Sequence, residues 1–183
     1  MARSDWQQAA ERLLRERGAL HIEHPGGSLL EHTLRVSGLL EDWGADEDLQ
    51  AAGLCHACYG TDGFHVAILD LSERELLAHI IGTVGEDIVY LYASCERKTT
   101  YPRLSAGTLL FSDRFRRATR YISHDQTRAW LELTAANELD LVLTNPKAGA
   151  TWAPAFYGLL RNWRCWLSGP ALEAWERALA GLP

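Results

Sequence analysis

The chain has 183 residues, 47% of them hydrophobic and 23% charged, a size and balance that fit one globular unit over 1–183 with a sizeable core. A formal net charge of −6 leaves no basic surplus to neutralise phosphates, which argues against nucleic acid as the main partner. The N-terminal stretch MARSDWQQAAERLLRERG is amphipathic and charged throughout, and no run approaches ~18 apolar residues; the expectation is a cytoplasmic protein with no membrane span and reduced thiols.

Helical periodicity dominates in chain order. Ser4 caps a first helix that stops near Gly18. HIEHPGGS (21–28) forms a loop with Pro25, Gly26 and Gly27 as breakers. Ser28 and Glu31 have capping-box spacing and open a second helix to about Trp43, closed by Gly44. A third helix runs from about Asp46 to Cys58; Ala52 and Gly53 are small enough for another helix to approach closely. YGTDGFHVAILDLS (59–72) is a glycine-interrupted connection. Ser72 and Glu75 suggest a second capping box and a helix to about Ile81, and a further helix covers Glu86 to Cys95.

Glu96 to Ser123 is the least regular stretch. Thr108–Phe111 and Ala118–Ile122 allow a short β-hairpin or a helix, and the spacing favours an irregular insertion near 105–123. Asp125 to about Leu143 is a helix, broken by Asn145-Pro146. Two closing helices are expected near Pro154–Leu167 and Pro170–Ala180. The fold class expected is all-α. Seven Trp and six Tyr suggest a thick core or a pocket walled with rings.

The residues that can carry chemistry centre on His32, near the start of one helix, and His56, near the end of the next. An antiparallel pair of short helices brings those ends together, so the imidazoles can serve as ligands of a divalent metal or as an acid–base pair. Two unrelated core histidines fit the spacing as well. Tyr59 and Asp62 follow His56: Tyr59 can donate a hydrogen bond or a proton, and Asp62 belongs to the pocket rim or to a simple turn. His24 and Ser28 precede a helix N-terminus that favours anions, although Ser28 also serves as a plain cap. Arg97 and Lys98, with Glu96 and Tyr101, form a charged cluster suited to a substrate carboxylate or phosphate, or to a solvated helix end. Cys55 and Cys58 have C-x-x-C spacing, but at the close of a helix the dipole does not favour a thiolate.

The segment GGSLLEHTLRVSGLLEDWGADEDLQAAGLCHACYGT resembles the opening of an HD domain, with His32 matching that family's first His and Leu54-Cys55-His56-Ala57 its His-Asp segment. GEDIVYLYASCERK is similar to the following segment of guanosine-tetraphosphate hydrolases, and LTAANELDLVLTN to the later helix bearing the last metal Asp. His56, Tyr59, Gly60 and Thr61 also resemble an HD-like family with an H-x-x-Y-G-T pattern. The resemblance spans roughly residues 20–145. It implies an HD-like helical bundle, hydrolysis of a small polar, often phosphorylated metabolite, and one divalent metal (Fe, Zn or Mn).

Two departures alter that implication. Ala57 replaces the Asp after the second His, and Asn137 aligns with the last Asp, with Asp140 one turn on. His32, His56 and Asp140 then form a weaker metal set, or no metal binds and His32, His56, Tyr59 and Asn137 act directly. An iron-dependent oxygenase and a non-catalytic regulatory module are the alternative readings. The expected partner is a small-molecule substrate, and a homodimer is compatible with the chain.

Overall fold

A computed structural model describes residues 4–182; Met1 to Arg3, the start of the amphipathic N-terminal stretch, lie outside the described residues. Ser4 accepts from the Gln7 amide and Gln7 reaches back, so a capping box opens α1 (Asp5–Glu16). Glu23–His24 (β1) and Gly27–Ser28 (β2) pair as a minimal antiparallel hairpin inside the expected loop. Ser28 and Glu31 complete a capping box on α2 (Leu29–Asp42), as their spacing predicts. Asp46 caps α3 (Glu47–Cys55). This helix stops three residues short of Cys58, and His56 is its C-terminal cap.

The next boundary differs from the expected one. Asp70 and Glu73 form the capping box, around a 3-10 turn, rather than Ser72 and Glu75. The chain then continues as α4 (Arg74–Ser94), where Gly82 adopts φ 81°, ψ 158° and kinks the helix in the gap between the two predicted helices. A residue with a Cβ is strained at that positive φ, so glycine sets the bend. The stretch Leu71–Ser94 is by length and composition apolar enough to cross a membrane, with a mean hydropathy of 1.3 over its best window. Here more than half of that window is buried against other helices.

Between 96 and 123 the structure takes the hairpin alternative rather than the irregular one, and adds a helix ahead of it that was not expected. Arg97–Ser105 is a helix, α5, and Leu110–Asp113 (β3) pairs with Ala118–Tyr121 (β4) as an antiparallel hairpin. Helix α5 has no apolar stripe. Its first amide, that of Arg97, is capped from afar by the Asp62 carboxylate at 2.9 Å.

Ser123 caps α6 (His124–Thr144). Asn145-Pro146 does end it, but the same pair starts α7 (Pro146–Asn162), eight residues ahead of the predicted Pro154. Asn145 accepts from the Ala148 amide, and Pro146 sits where a missing N–H costs nothing. Helix α8 (Gly169–Ala180) follows, with Pro170 in its first turn.

The described residues therefore form eight α-helices and two small antiparallel hairpins. Helix α6 is the axis. It packs on α2, α3, α4, α7 and α8, and residues on all its sides are buried, as expected of a helix enclosed by neighbours. Of the tryptophans, Trp130, Trp163 and Trp175 are fully buried in the core.

Candidate functional site

Helix α2 presents His32 one turn in from its cap, and α3 ends on His56. The two helices lie close because Gly53 leaves room: a Cβ there would meet Leu40 Cδ1 at 2.5 Å and the Ser37 Cα at 3.3 Å. Burial of the two imidazoles is nearly complete. Their Nε2 atoms are 3.3 Å apart, and Asn137 Oδ1, from the axial helix α6, is 3.1 Å from His32 Nε2.

The outer nitrogens fix the tautomers. Nδ1–H of His56 donates to the Gly53 carbonyl at 2.8 Å, so in neutral His56 Nε2 is a bare acceptor. Nδ1–H of His32 donates to Asp140 Oδ2 at 2.7 Å. Three acceptors would then face one another at the centre: two imidazole nitrogens and an amide oxygen. A shared proton or cation relieves that meeting of acceptors, as does a half-turn of the Asn137 amide that presents Nδ2–H to His32 Nε2.

The carboxylate within hydrogen-bond reach of the pair is that of Asp140, on the His32 side. Burial, then the charge of His32, push His56 down to about 3. His24 is lowered to about 4 by the same two causes. Burial pushes Asp140 up, but hydrogen bonds from His32 and Arg35 outweigh it and hold the carboxyl below its usual range. His32 alone of the pair therefore has a carboxylate counter-ion.

The donors also fit a metal of borderline softness. Two ligands at 2.0–2.1 Å from a tetrahedral ion stand about 3.3–3.4 Å apart, the separation of the two Nε2 atoms. Neutral nitrogen ligands with an amide oxygen suit zinc or ferrous iron better than the oxygen-preferring manganese. Among the described residues no three His, Cys, Asp or Glu side chains converge as a ligand group, so Asn137 would be the third donor. Asp140 cannot share that ion as expected. It sits on the far side of the His32 ring, where it orients the imidazole as carboxylates behind ligating histidines do.

The pair lies at the floor of a cavity of about 430 Å³. Its walls include His24, Phe64, Arg97, Asn137, Glu138 and Trp152. Ala57 lines it too, so a methyl stands where the HD pattern carries an Asp. His24 stacks on His32 with ring centroids 3.9 Å apart, and Phe64 meets its edge at 5.3 Å. Nδ1 of His24 is buried without a hydrogen-bond partner; a buried polar atom left open at a cavity wall is a natural ligand contact. Arg97 donates to Glu138 at 2.9 Å and to the Tyr92 hydroxyl at 2.9 Å.

Several expected residues lie elsewhere. Tyr59 is buried with its hydroxyl on Glu86 at 2.8 Å and is absent from the cavity wall. Burial first, then Glu86, push its pKa up, which makes it a structural donor rather than an acid. Ser28 is occupied as the α2 cap, Asp62 caps α5, and Lys98 is exposed away from the cavity. The sequence reading missed Arg35, Glu138, Phe64 and Trp152. Helical spacing marks two of them, since Arg35 is three residues after His32 and Glu138 adjoins Asn137.

Comparison with known proteins adds one likeness. Residues 13–97 match a family described as a domain of unknown function (DUF6817), a span that includes both histidines. No curated protein matches the chain, and no solved structure does.

Proposed function

We propose that the chain is a cytoplasmic enzyme with an HD-like helical bundle, acting on a small polar metabolite by hydrolase-type chemistry at the His32–His56 pair. The observation that carries this reading is the 3.3 Å approach of two buried Nε2 atoms with Asn137 beside them. A binding pocket has no need of paired imidazoles that face each other as acceptors. The HD-like assignment is supported by the convergence of His32, His56 and Asn137 from three helices in the chain order of that pattern.

Each residue has a distinct task. Asp140 accepts from His32 Nδ1–H and so fixes that ring in one tautomer. His56, neutral over the physiological range because burial lowers its pKa to about 3, accepts or relays a proton at Nε2. His24 Nδ1 and Arg97 border the space above, where they can bind and orient a polar substrate. Phe64 and Trp152 limit water. A zinc or ferrous ion held by His32, His56 and Asn137 would supply Lewis acidity and ease deprotonation of water. A diiron oxygenase would need more anionic ligands than this wall provides.

The experiment is elemental analysis of the purified chain together with turnover of p-nitrophenyl phosphate, bis-p-nitrophenyl phosphate and p-nitrophenyl acetate. Loss of general acid–base help predicts a drop of about 100-fold or more in His32→Ala and His56→Ala. If both variants stay folded and keep wild-type turnover, the catalytic reading is wrong. If the wild type turns over none of the esters, with or without added zinc or iron, a binding module replaces it.

A further inference from the structure

A second cavity, of about 570 Å³, opens at the other end of the α2–α3 pair from the histidines. The turn between those helices, from Trp43 to Leu49, forms one wall. Helix α4 from Val84 to Leu91, α6 from Asp125 to Glu132, and Trp166 to Ser168 form the rest. The two cavities share no lining residue. Helix α2, 14 residues long, sets them about 20 Å apart. A volume of this size is ordinary for a small-molecule site.

Charge on the wall is one-sided. Asp46, Asp48, Asp87, Asp125 and Glu132 line it, against one cation, Arg128. Asp46 is committed to the α3 cap, and Asp87 pairs with Arg74 at 3.0 Å. Among the described residues, no Lys, Arg or His lies within ion-pair reach of Asp48, Asp125 or Glu132. Asp48 and Asp125 stand in the first turns of α3 and α6, where the helix dipole accounts for a negative charge. Glu132 has no such account, since it lies in the interior of α6 and is only 7% exposed. Ser168 donates to it through its amide, at 3.0 Å, and through its hydroxyl, which fills two of about four lone-pair sites. Burial outweighs those bonds and pushes the carboxyl above its ordinary range, the sign of a charge short of a partner.

Rings and aliphatic side chains complete the wall. Trp43 and Trp166 line it with Leu49, Ile88 and Leu91, and Val84 is 55% exposed there. The Arg128 guanidinium lies 5.9 Å from the centre of the Trp166 ring, so that ring already receives a cation.

We propose that this cavity binds a small organic cation, an ammonium or guanidinium on an apolar body, with its charge beside Glu132. Trp43, Leu49 and Ile88 take the apolar body. The site is separate from the His32–His56 pair, and the inference does not rest on the reaction assigned there. An anion would meet five carboxylates, and a neutral ligand would leave Glu132 without a counter-charge. A basic segment of another protein offers the same charge but binds through a broad face rather than a cavity of this volume.

Tryptamine, with neutral tryptophol and anionic indole-3-propionate as isosteres, tests this by calorimetry at pH 7, with NMR of backbone and indole N–H groups to locate binding. At about 0.3 kcal/mol for each of its roughly twelve heavy atoms, tryptamine should bind with a Kd in the low millimolar range. It should bind at least about tenfold tighter than tryptophol, the worth of one hydrogen bond to a charged group, and indole-3-propionate should not bind. Shifts should gather at the Trp43 and Trp166 indoles and along 125–132. Glu132→Gln should abolish the preference for tryptamine over tryptophol. Asp125→Asn, at the exposed rim, should weaken tryptamine only about two- to threefold. Thermal melts establish that both variants fold; if Glu132→Gln does not, the isostere series on the wild-type protein decides. No tryptamine binding at about 10 mM overturns the proposal, as does tryptophol binding as tightly. Shifts confined to the histidine cavity, or an undiminished preference in a folded Glu132→Gln, overturn it as well. A tetralysine peptide that binds tighter than tryptamine also overturns it, in favour of a protein partner.

Discussion

Arg35 grips Asp140 from the helix that also carries His32. Its Nε donates to Oδ1 at 2.6 Å and its Nη2 to Oδ2 at 3.0 Å, a fork-to-fork pair spanning 105 positions of chain. Oδ2 also accepts from His32, so one buried carboxylate serves both a guanidinium and an imidazole.

Asp140→Asn keeps the shape and removes that charge. With a guanidinium and an imidazole left uncompensated, it should destabilise the fold by about 2–4 kcal/mol, read by urea denaturation at pH 7. It should also release the His32 tautomer, visible as changed imidazole nitrogen shifts in NMR. A loss under about 0.5 kcal/mol would mean the carboxylate is not the anchor of the site.

Acid should destabilise the protein well before ordinary carboxylates titrate. His56 is lowered to about 3 in the folded state and has its ordinary value of about 6.5 when unfolded. Between those values the unfolded chain binds the extra proton, so stability falls as pH drops below about 6.5, by up to ~1.4 kcal/mol per unit. His24, lowered to about 4, steepens the same decline. Urea midpoints at pH 7.0, 6.0 and 5.0 measure it, and His56→Asn should flatten the dependence. Parallel curves for wild type and variant would refute the assignment.

Gly53→Ala tests the helix approach that delivers His56. The added methyl would meet Leu40, which can turn aside, and the Ser37 backbone, which cannot. A cost of about 1–3 kcal/mol is expected, with turnover reduced because the Gly53 carbonyl also holds His56. A variant as stable as wild type would show slack between α2 and α3.

Tyr59→Phe separates structure from catalysis. The hydroxyl donates to buried Glu86, which also pairs with Arg74, so its loss should cost about 1–2 kcal/mol. Ester turnover should remain at the wild-type level. A hundredfold drop in kcat at unchanged stability would return Tyr59 to the reaction.

Ser28→Ala removes the α2 cap, worth about 1 kcal/mol, in a thermal melt. Substrate KM should not change, because Ser28 bonds to Glu31 rather than to the cavity. A raised KM without a stability loss would place Ser28 in binding.

The mostly helical class and the caps at Ser4 and Ser28 were legible in the chain, because caps and amphipathic periodicity are local signals; the meeting of His32 with His56 was one of two readings their spacing allowed, and packing chose it. Helix α5 was not. Its cap, Asp62, comes from 35 positions upstream, and its own residues have no apolar stripe. Asn145-Pro146 was read as a break because the pair marks a helix start only once the next turn is seen to close on it.

Sequence alone established which residue types were available: two histidines at helix ends, an Asn and an Asp one turn apart, and a methyl where a carboxylate would complete a metal cage. Tertiary packing decided their tasks. Asn137 and Asp140 lie on neighbouring turns of α6, yet one faces Nε2 of His32 and the other Nδ1. That choice depends on how α2 is rotated against the axial helix, a consequence of side-chain packing between elements a hundred residues apart, which no local spacing encodes.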